Sequence, residues 1–376
     1  MDTEQKLNIL ADSSKFDLAC ACKYKDEPSR VRGDFGRWIY PAALPSGRKV
    51  FLLKTLQSNA CVNDCSYCPF NHRRNLPRCT LVPEELAHTF IQLRQTNLVS
   101  GLFLSSGVCG SPDATMDRML ATVEILRRRY QFKGFVHLKV IPGASKAAIE
   151  KAVDLGTRVS VNIEAPSAAR LEQLSSKKRF HEDVISAMRT IHQLRIEKNR
   201  RCQQTTQFVV GAAGETDREI VLATDKLYRK FQMERIYFSA FQDPEHPGEG
   251  SESSLFRDIP TRKQTETSDV FMREHRLYQV DFLLRKYGFD RKDITFDQRG
   301  NLSLQQDPKM VWAQLNPGFF PVKVNQADRW QLLRVPGIGP IGASRILAAR
   351  RQQRIGGPDN LKHLSIRKSA GPYLVY

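Results

Sequence analysis

The sequence predicts an α/β fold of six strand–helix units in series with a small basic module behind them. Apolar runs of strand length recur along the chain, amphipathic stretches of helical period separate them, and the densest positive charge follows the last one. Of the 376 residues, 41% are hydrophobic, which excludes wholesale disorder and supplies a substantial core. The formal net charge is +18, and 323–376 carries +8 of it, from ten Lys/Arg against two Asp/Glu. Such a balance favours a polyanionic partner, nucleic acid or an anionic membrane surface.

In chain order, the opening MDTEQKLNIL lacks a basic stretch followed by an apolar one, so it does not read as a secretory signal. No apolar run reaches the ~18–20 residues of a membrane span. A cytoplasmic protein is therefore expected, with its eight cysteines reduced. The strand candidates are Val50–Leu56, Gly101–Ser105, Gly134–Ile141, Arg158–Glu164, Thr206–Val210 and Arg235–Phe241. Among the helices between them, Met116, Met119, Leu120, Val123 and Leu126 recur at three- and four-residue spacing, with Asp113 as the expected cap. Thr216 and Glu219 read as a capping box, and Gly288 as the terminator of a helix near 269–287. Six such units imply a parallel sheet with right-handed crossovers, either a partial barrel or a doubly wound sheet. In both, chemistry belongs at the C-terminal ends of the strands. The Pro-, Gly-, Ser- and acid-rich stretch Gln242–Lys263 follows the sixth strand and reads as a lid over that mouth or a surface loop.

Cys61, Cys65 and Cys68 fall within eight residues directly after the first strand. Thiolates so clustered in a reducing compartment hold an iron–sulfur cluster or zinc, and His72 is near enough in sequence to complete a zinc site. The other cysteines, Cys20, Cys22, Cys79, Cys109 and Cys202, have no comparable spacing and are expected to be buried or free thiols.

The segment Cys61-Val-Asn-Asp-Cys65-Ser-Tyr67-Cys68 resembles the C-x3-C-x-Φ-C signature of the radical S-adenosylmethionine (SAM) superfamily. The resemblance implies a partial (β/α)6 TIM-type barrel, a [4Fe-4S] cluster on Cys61, Cys65 and Cys68, and SAM chelating the open iron. It further implies reductive cleavage of SAM to a 5′-deoxyadenosyl radical. SAM contacts are expected from Ser105, Ser106 and Gly107, where the family's acidic Gly-Gly-Glu segment is replaced, and from Asn162 and Glu164. Further contacts are expected from Gln207, which opens a segment ending Gly211-Ala-Ala-Gly214-Glu215, and from Ser239 or Phe241. His137 and Lys139 are expected to point into the barrel.

Behind the barrel, Leu332-Leu-Arg-Val-Pro336-Gly337-Ile338-Gly339-Pro340 resembles the helix–hairpin–helix motif of DNA-binding modules. Gly337 and Gly339 permit a tight turn whose amides and following helix suit a phosphate, and Arg345, Arg350, Arg351 and Arg354 add charge. The landmarks Gly101–Val108, His137–Ser145 and Ser160–Ser167 resemble a narrower group of radical SAM proteins, described as DNA modification or repair proteins and associated with a uracil-DNA-glycosylase-like partner. The division expected is an extension at 1–48, a radical SAM barrel at 49–300, a connector at 301–322 and a small all-α helix–hairpin–helix module at 323–376. The function expected is a SAM-dependent radical enzyme acting on DNA and fed by an electron donor. The rivals are a radical SAM enzyme modifying RNA and a non-enzymatic zinc-containing DNA-binding protein.

Overall fold

Each of the six apolar runs pairs in parallel with the next, because each crossover carries a helix whose apolar face must be buried. The computed structural model describes residues 1–13, 39–43, 49–198, 201–242 and 264–376. Helix α1 (Thr3–Ser13) comes first. The sheet then runs β1 (Ile39–Ala43), β2 (Lys49–Leu56), β3 (Gly101–Ser105), β4 (Phe135–Lys139), β5 (Arg158–Ser160), β6 (Gln203–Val210) and β7 (Arg235–Ala240), in chain order across seven strands curled into a half-barrel. Strand β1 is an addition to the expected six and pairs antiparallel with β2. Pro41 hides it in the sequence, yet an edge strand tolerates a residue that cannot donate to the ladder. The third and fourth expected runs are shorter as strands than their apolar length suggests. β5 stops at Ser160, and Val161, Ile163 and Ala165 go on being buried as irregular chain.

Helices α2 (Pro83–Gln95), α3 (Pro112–Glu124), α4 (Lys146–Leu155), α5 (Ala168–Glu172), α6 (Ser186–Glu197) and α7 (Asp217–Phe231) fill the crossovers. Neighbours α2 and α3, α3 and α4, and α4 and α6 pack against one another. Met116, Met119, Leu120, Val123 and Leu126 are all essentially inaccessible, as their spacing requires. The cap of α3 is Ser111, whose hydroxyl accepts from the Ala114 amide at 3.1 Å, and not Asp113. Pro112 takes the first helical position, which leaves Asp113 inside the first turn, where it accepts from the Ser145 amide at 2.8 Å. The Thr216–Glu219 capping box forms as expected, with Thr216 N donating to Glu219 at 2.7 Å and Glu219 N to Thr216 Oγ1 at 3.2 Å. Cys20, Cys22 and residues 243–263 of the expected lid lie outside the described residues.

Inside the half-barrel one row is polar. Lys54, Phe103, His137, Arg158 and Gln203 stand in register on β2 to β6. The Phe103 and His137 rings meet edge-on at 4.4 Å, Lys54 Nζ lies 5.0 Å from the Phe103 ring, and Arg158 Nε donates to Gln203 at 2.9 Å. Burial, with Arg158, Lys139 and Lys54 adding their charge, holds the His137 imidazole well below its ordinary range, so it is neutral at pH 7. One layer further toward the C-terminal ends come Leu56, Ser105 and Lys139, which open into the cavity described below.

The chain forms two compact units, Met1–Glu215 with Lys226–Val270, and Thr216–Asp225 with Phe271–Tyr376. The second contains α9 (Pro308–Leu315), α10 (Arg329–Arg334), α11 (Pro340–Gln352) and α12 (Pro358–His363), with most of α8 (Gln264–Lys286). Helix α8 ends two residues before Gly288. A core that includes Val324, Leu332, Val335, Ile338, Ala343 and Ile346 binds these helices together. The last part of the chain is not wholly helical as expected. Val322–Lys323 and Leu374–Val375 form a two-residue parallel pair, β8 and β9, which satisfies backbone groups at both ends of the segment.

Candidate active site

The site is built on the loop after β2, at the C-terminal end of the sheet where the sequence puts the chemistry. Cys61, Cys65 and Cys68 line one side of a cavity. Ser105, Ser106, Gly107, Lys139, Asn162, Glu164, Gln207, Ser239 and Phe241 line the rest. These residues, singled out in the sequence, therefore meet in one place. His137 lies a layer beneath, with Nε2 2.9 Å from Ser160 Oγ. Gly211, Gly214 and Glu215 are outside the lining: the buried Glu215 carboxylate accepts from the Gly211 and Ala213 amides and so closes its own turn.

The cysteine loop is held from below by Arg78, whose guanidinium donates to the carbonyls of Asn59, Phe70, Asn71 and Arg74 at 2.6 to 3.0 Å. Gly107, two residues beyond β3, presses on it. A Cβ at Gly107 would stand 2.5 Å from the Ala60 carbonyl oxygen and 3.2 Å from Cys61 Cβ, so no other residue fits without moving the loop. The Val108 and Asn63 amides each donate to Cys61 Sγ at 3.4 Å.

A third element was not legible in the sequence. Leu174–Lys178, between α5 and α6, straps across the same loop. Ser66 N donates to Leu174 O at 2.8 Å, and Lys177 Nζ to Val62 O at 2.6 Å. Asp64 accepts from the Ser175 hydroxyl at 2.6 Å and from the Ser176 amide at 3.1 Å. Burial would raise the Asp64 carboxyl, but these hydrogen bonds outweigh it and hold the group well below the usual carboxylate range. Lys178 Nζ donates to the Tyr67 hydroxyl at 2.9 Å and lies 3.5 Å from Glu164 Oε1. Burial opposes its charge, yet Cys65, Glu164, Cys68 and Cys61 together keep the ammonium firmly protonated. The same burial, with the neighbouring thiolates, pushes the Cys68 thiol up to about 12. Only the paired basic residues of Ser175-Ser-Lys-Lys178 mark this segment in the sequence, and they read as solvated surface.

The donor set fits a cluster and SAM. Three sulfurs on one rigid loop suit iron, which replaces their protons and relieves the unfavourable burial of charge. Glu164 Oε2 is buried without a hydrogen-bond partner among the described residues, and so is an acceptor awaiting a donor. Glu164 reaches this position through a left-handed backbone, φ +65°, fixed by hydrogen bonds to Gln207 O at 3.0 Å and from Val209 N at 2.8 Å. His72, the fourth ligand that a zinc site was expected to draw on, stands apart from the three sulfurs. His72 is exposed, with Nδ1 3.1 Å from Asn63 O, and does not line the cavity. Among the described residues no three His, Cys, Asp or Glu are grouped to hold a single metal ion.

In the second unit, Gly337 forms the turn between α10 and α11 with φ +85°, where a Cβ would meet Ser369 Oγ at 2.7 Å. Gly339 caps α11 and offers no side chain to its first-turn amides. The turn is supported by Lys309, whose Nζ donates to Ile338 O at 2.6 Å and lies 4.8 Å from the Tyr287 ring. Burial, reinforced by Arg334 and opposed by Asp307, brings the Lys309 ammonium down to about 7. Arg345 and Arg351 are exposed, Arg345 with a hydrogen bond to Leu364 O at 3.2 Å. Arg350 is turned to the Val324 and Ala327 carbonyls at 3.1 and 2.6 Å.

Residues 56–227 match the family model described as the Radical SAM superfamily. No curated protein matches the chain. Among solved structures, the FeFe-hydrogenase maturase HydG from Carboxydothermus hydrogenoformans is 16% identical over 60% of this chain and 51% of its own, with a TM-score of 0.44. Methylornithine synthase PylB is 18% identical over 60% and 62%, with a TM-score of 0.42. The radical SAM methyltransferase TsrM from Kitasatospora setae, with cobalamin and a [4Fe-4S] cluster bound, is 13% identical over 80% and 61%, with a TM-score of 0.41. The chain spans about half the length of the HydG structure.

Proposed function

We propose that this chain, a SAM-cleaving enzyme by its radical SAM superfamily domain at residues 56–227, directs its chemistry at DNA, in repair or modification. The domain uses a [4Fe-4S] cluster and SAM; when bound, they supply an electron and a 5′-deoxyadenosyl radical able to abstract hydrogen from an unactivated C–H bond. The chain's own residues hold and orient. Cys61, Cys65 and Cys68 take the cluster. Glu164 Oε2, buried without a hydrogen-bond partner among the described residues, would accept from a donor of SAM such as the ribose, with Asn162, Ser105 and Ser106 alongside. Gly107 leaves room for the chain to approach, while Gln207, Ser239 and Phe241 border the nucleoside end.

The observation that carries the DNA reading is the α10–turn–α11 segment within a region of net +8: a Gly337 turn followed by a helix whose first amides no side chain caps. It is read as a helix–hairpin–helix module gripping phosphates through Gly337 and Gly339, with Arg345, Arg350 and Arg351 adding charge. The domain division 1–48, 49–300, 301–322 and 323–376 belongs to this reading, as do an electron donor and a uracil-DNA-glycosylase-like partner.

Filter binding of duplex DNA across a salt series tests it, using the full chain and an Arg345→Gln/Arg351→Gln/Arg354→Gln variant. For each phosphate contact removed, the slope of log K against log salt should flatten by about 0.9. An unchanged slope sinks the grip, and preferential retention of RNA in competition transfers the reading to RNA. Mass spectrometry of nucleosides after incubating reduced enzyme with SAM and defined DNAs then identifies the reaction.

A further inference from the structure

We propose that Lys178 raises the reduction potential of the cluster, as a fixed positive charge that the Leu174–Lys178 strap carries to the cysteine loop. Reduction adds an electron beside three thiolates, so a cation held next to them stabilises the reduced form more than the oxidised one. Lys178 is held, since its ammonium is tied to the Tyr67 hydroxyl at 2.9 Å, directly before Cys68 in the chain. Its side chain is only 11% exposed, so water and salt screen it weakly. The strap that delivers it is anchored independently of any cofactor, through Asp64 to Ser175 and Ser176 and through Ser66 to Leu174. The amides of Asn63 and Val108 that point at Cys61 Sγ act in the same direction. Glu164, 3.5 Å from the ammonium, offsets part of the charge, so the expected effect is moderate.

The inference depends on the cluster and not on the DNA reading, and its test contains no nucleic acid. The full-length protein is reconstituted anaerobically, its iron content measured, and the cluster titrated against redox mediators with detection by electron paramagnetic resonance, without SAM. With iron content equal to wild type, Lys178→Met should lower the equilibrium constant for reduction about tenfold, which is 59 mV for one electron. Lys178→Arg, which keeps the charge, should stay within about threefold of wild type. If Lys178→Met loads iron poorly, Lys178→Gln, which can still hydrogen-bond to Tyr67, takes its place with the same expected shift. A charge-removing variant with full iron whose potential stays within threefold of wild type overturns the proposal, and so does a Lys178→Arg shift as large as that of Lys178→Met.

Discussion

Lys178 in the first unit and Lys309 in the second both bury an ammonium near a tyrosine ring, at 5.5 Å from Tyr67 and 4.8 Å from Tyr287, and burial leaves them in opposite states. Lys178 remains charged because Cys65, Glu164, Cys68 and Cys61 surround it. Lys309 is brought down to about 7 because burial and Arg334 outweigh Asp307. Desolvation is common to both, so the neighbouring charges decide the outcome. The site that handles electrons keeps its cation. The lysine that supports the turn loses its charge near neutral pH while it remains close enough to hold the Ile338 carbonyl.

The largest effect is expected from removing the cation that disfavours a charged Lys309. Arg334 is 3% exposed, lies 3.8 Å from the Phe289 ring and pairs with Asp293 at 3.0 Å. Arg334→Ala leaves Asp293 without that partner and opens a cavity among aromatic rings, costing about 3–5 kcal/mol, read as a fall in the denaturation midpoint of the second unit.

Next in size is the pH dependence carried by Lys309. Between pH about 7 and 10.5 the unfolded chain holds this proton and the folded chain does not, so stability rises with pH there, by up to about 1.4 kcal/mol per unit. Below pH 7 both states are protonated, the slope vanishes, and the cost of burying the charge is fully present. Lys309→Met should abolish that part of the slope in urea denaturation between pH 7 and 9; an identical slope in the variant would show that Lys309 does not titrate in this window.

A smaller, local effect belongs to the strap. Asp64→Ala removes the acceptor for Ser175 and Ser176 and should weaken the strap by about 1–3 kcal/mol. Hydrogen exchange at the Ser176 amide of the cluster-free protein should accelerate accordingly. Protection equal to wild type would show that the strap is held without Asp64.

What the sequence discloses follows the range of the interactions. Cys61, Cys65 and Cys68 are legible because their spacing is contained in one loop, and Asn162 and Glu164 because alternation survives beyond the end of β5. The cap of α3 lies two residues before the expected Asp113, since Ser111 and Asp113 are both good capping types and only the position of Pro112 decides between them. The strap could not be read: Ser175 and Ser176 meet Asp64 across more than a hundred residues of chain. Lys309 was equally hidden, because a lysine on a short helix reads as exposed until the turn it supports is in place. Strand β1 escaped for a third reason: a proline that excludes a central strand is harmless at an edge.

The row of Lys54, Phe103, His137, Arg158 and Gln203 gives the half-barrel a floor one layer beneath the cavity. A vessel with a floor is filled from the top. The residues that line the cavity stand above that floor, at the C-terminal ends of the strands, so whatever the cavity holds is supported from beneath by the sheet itself.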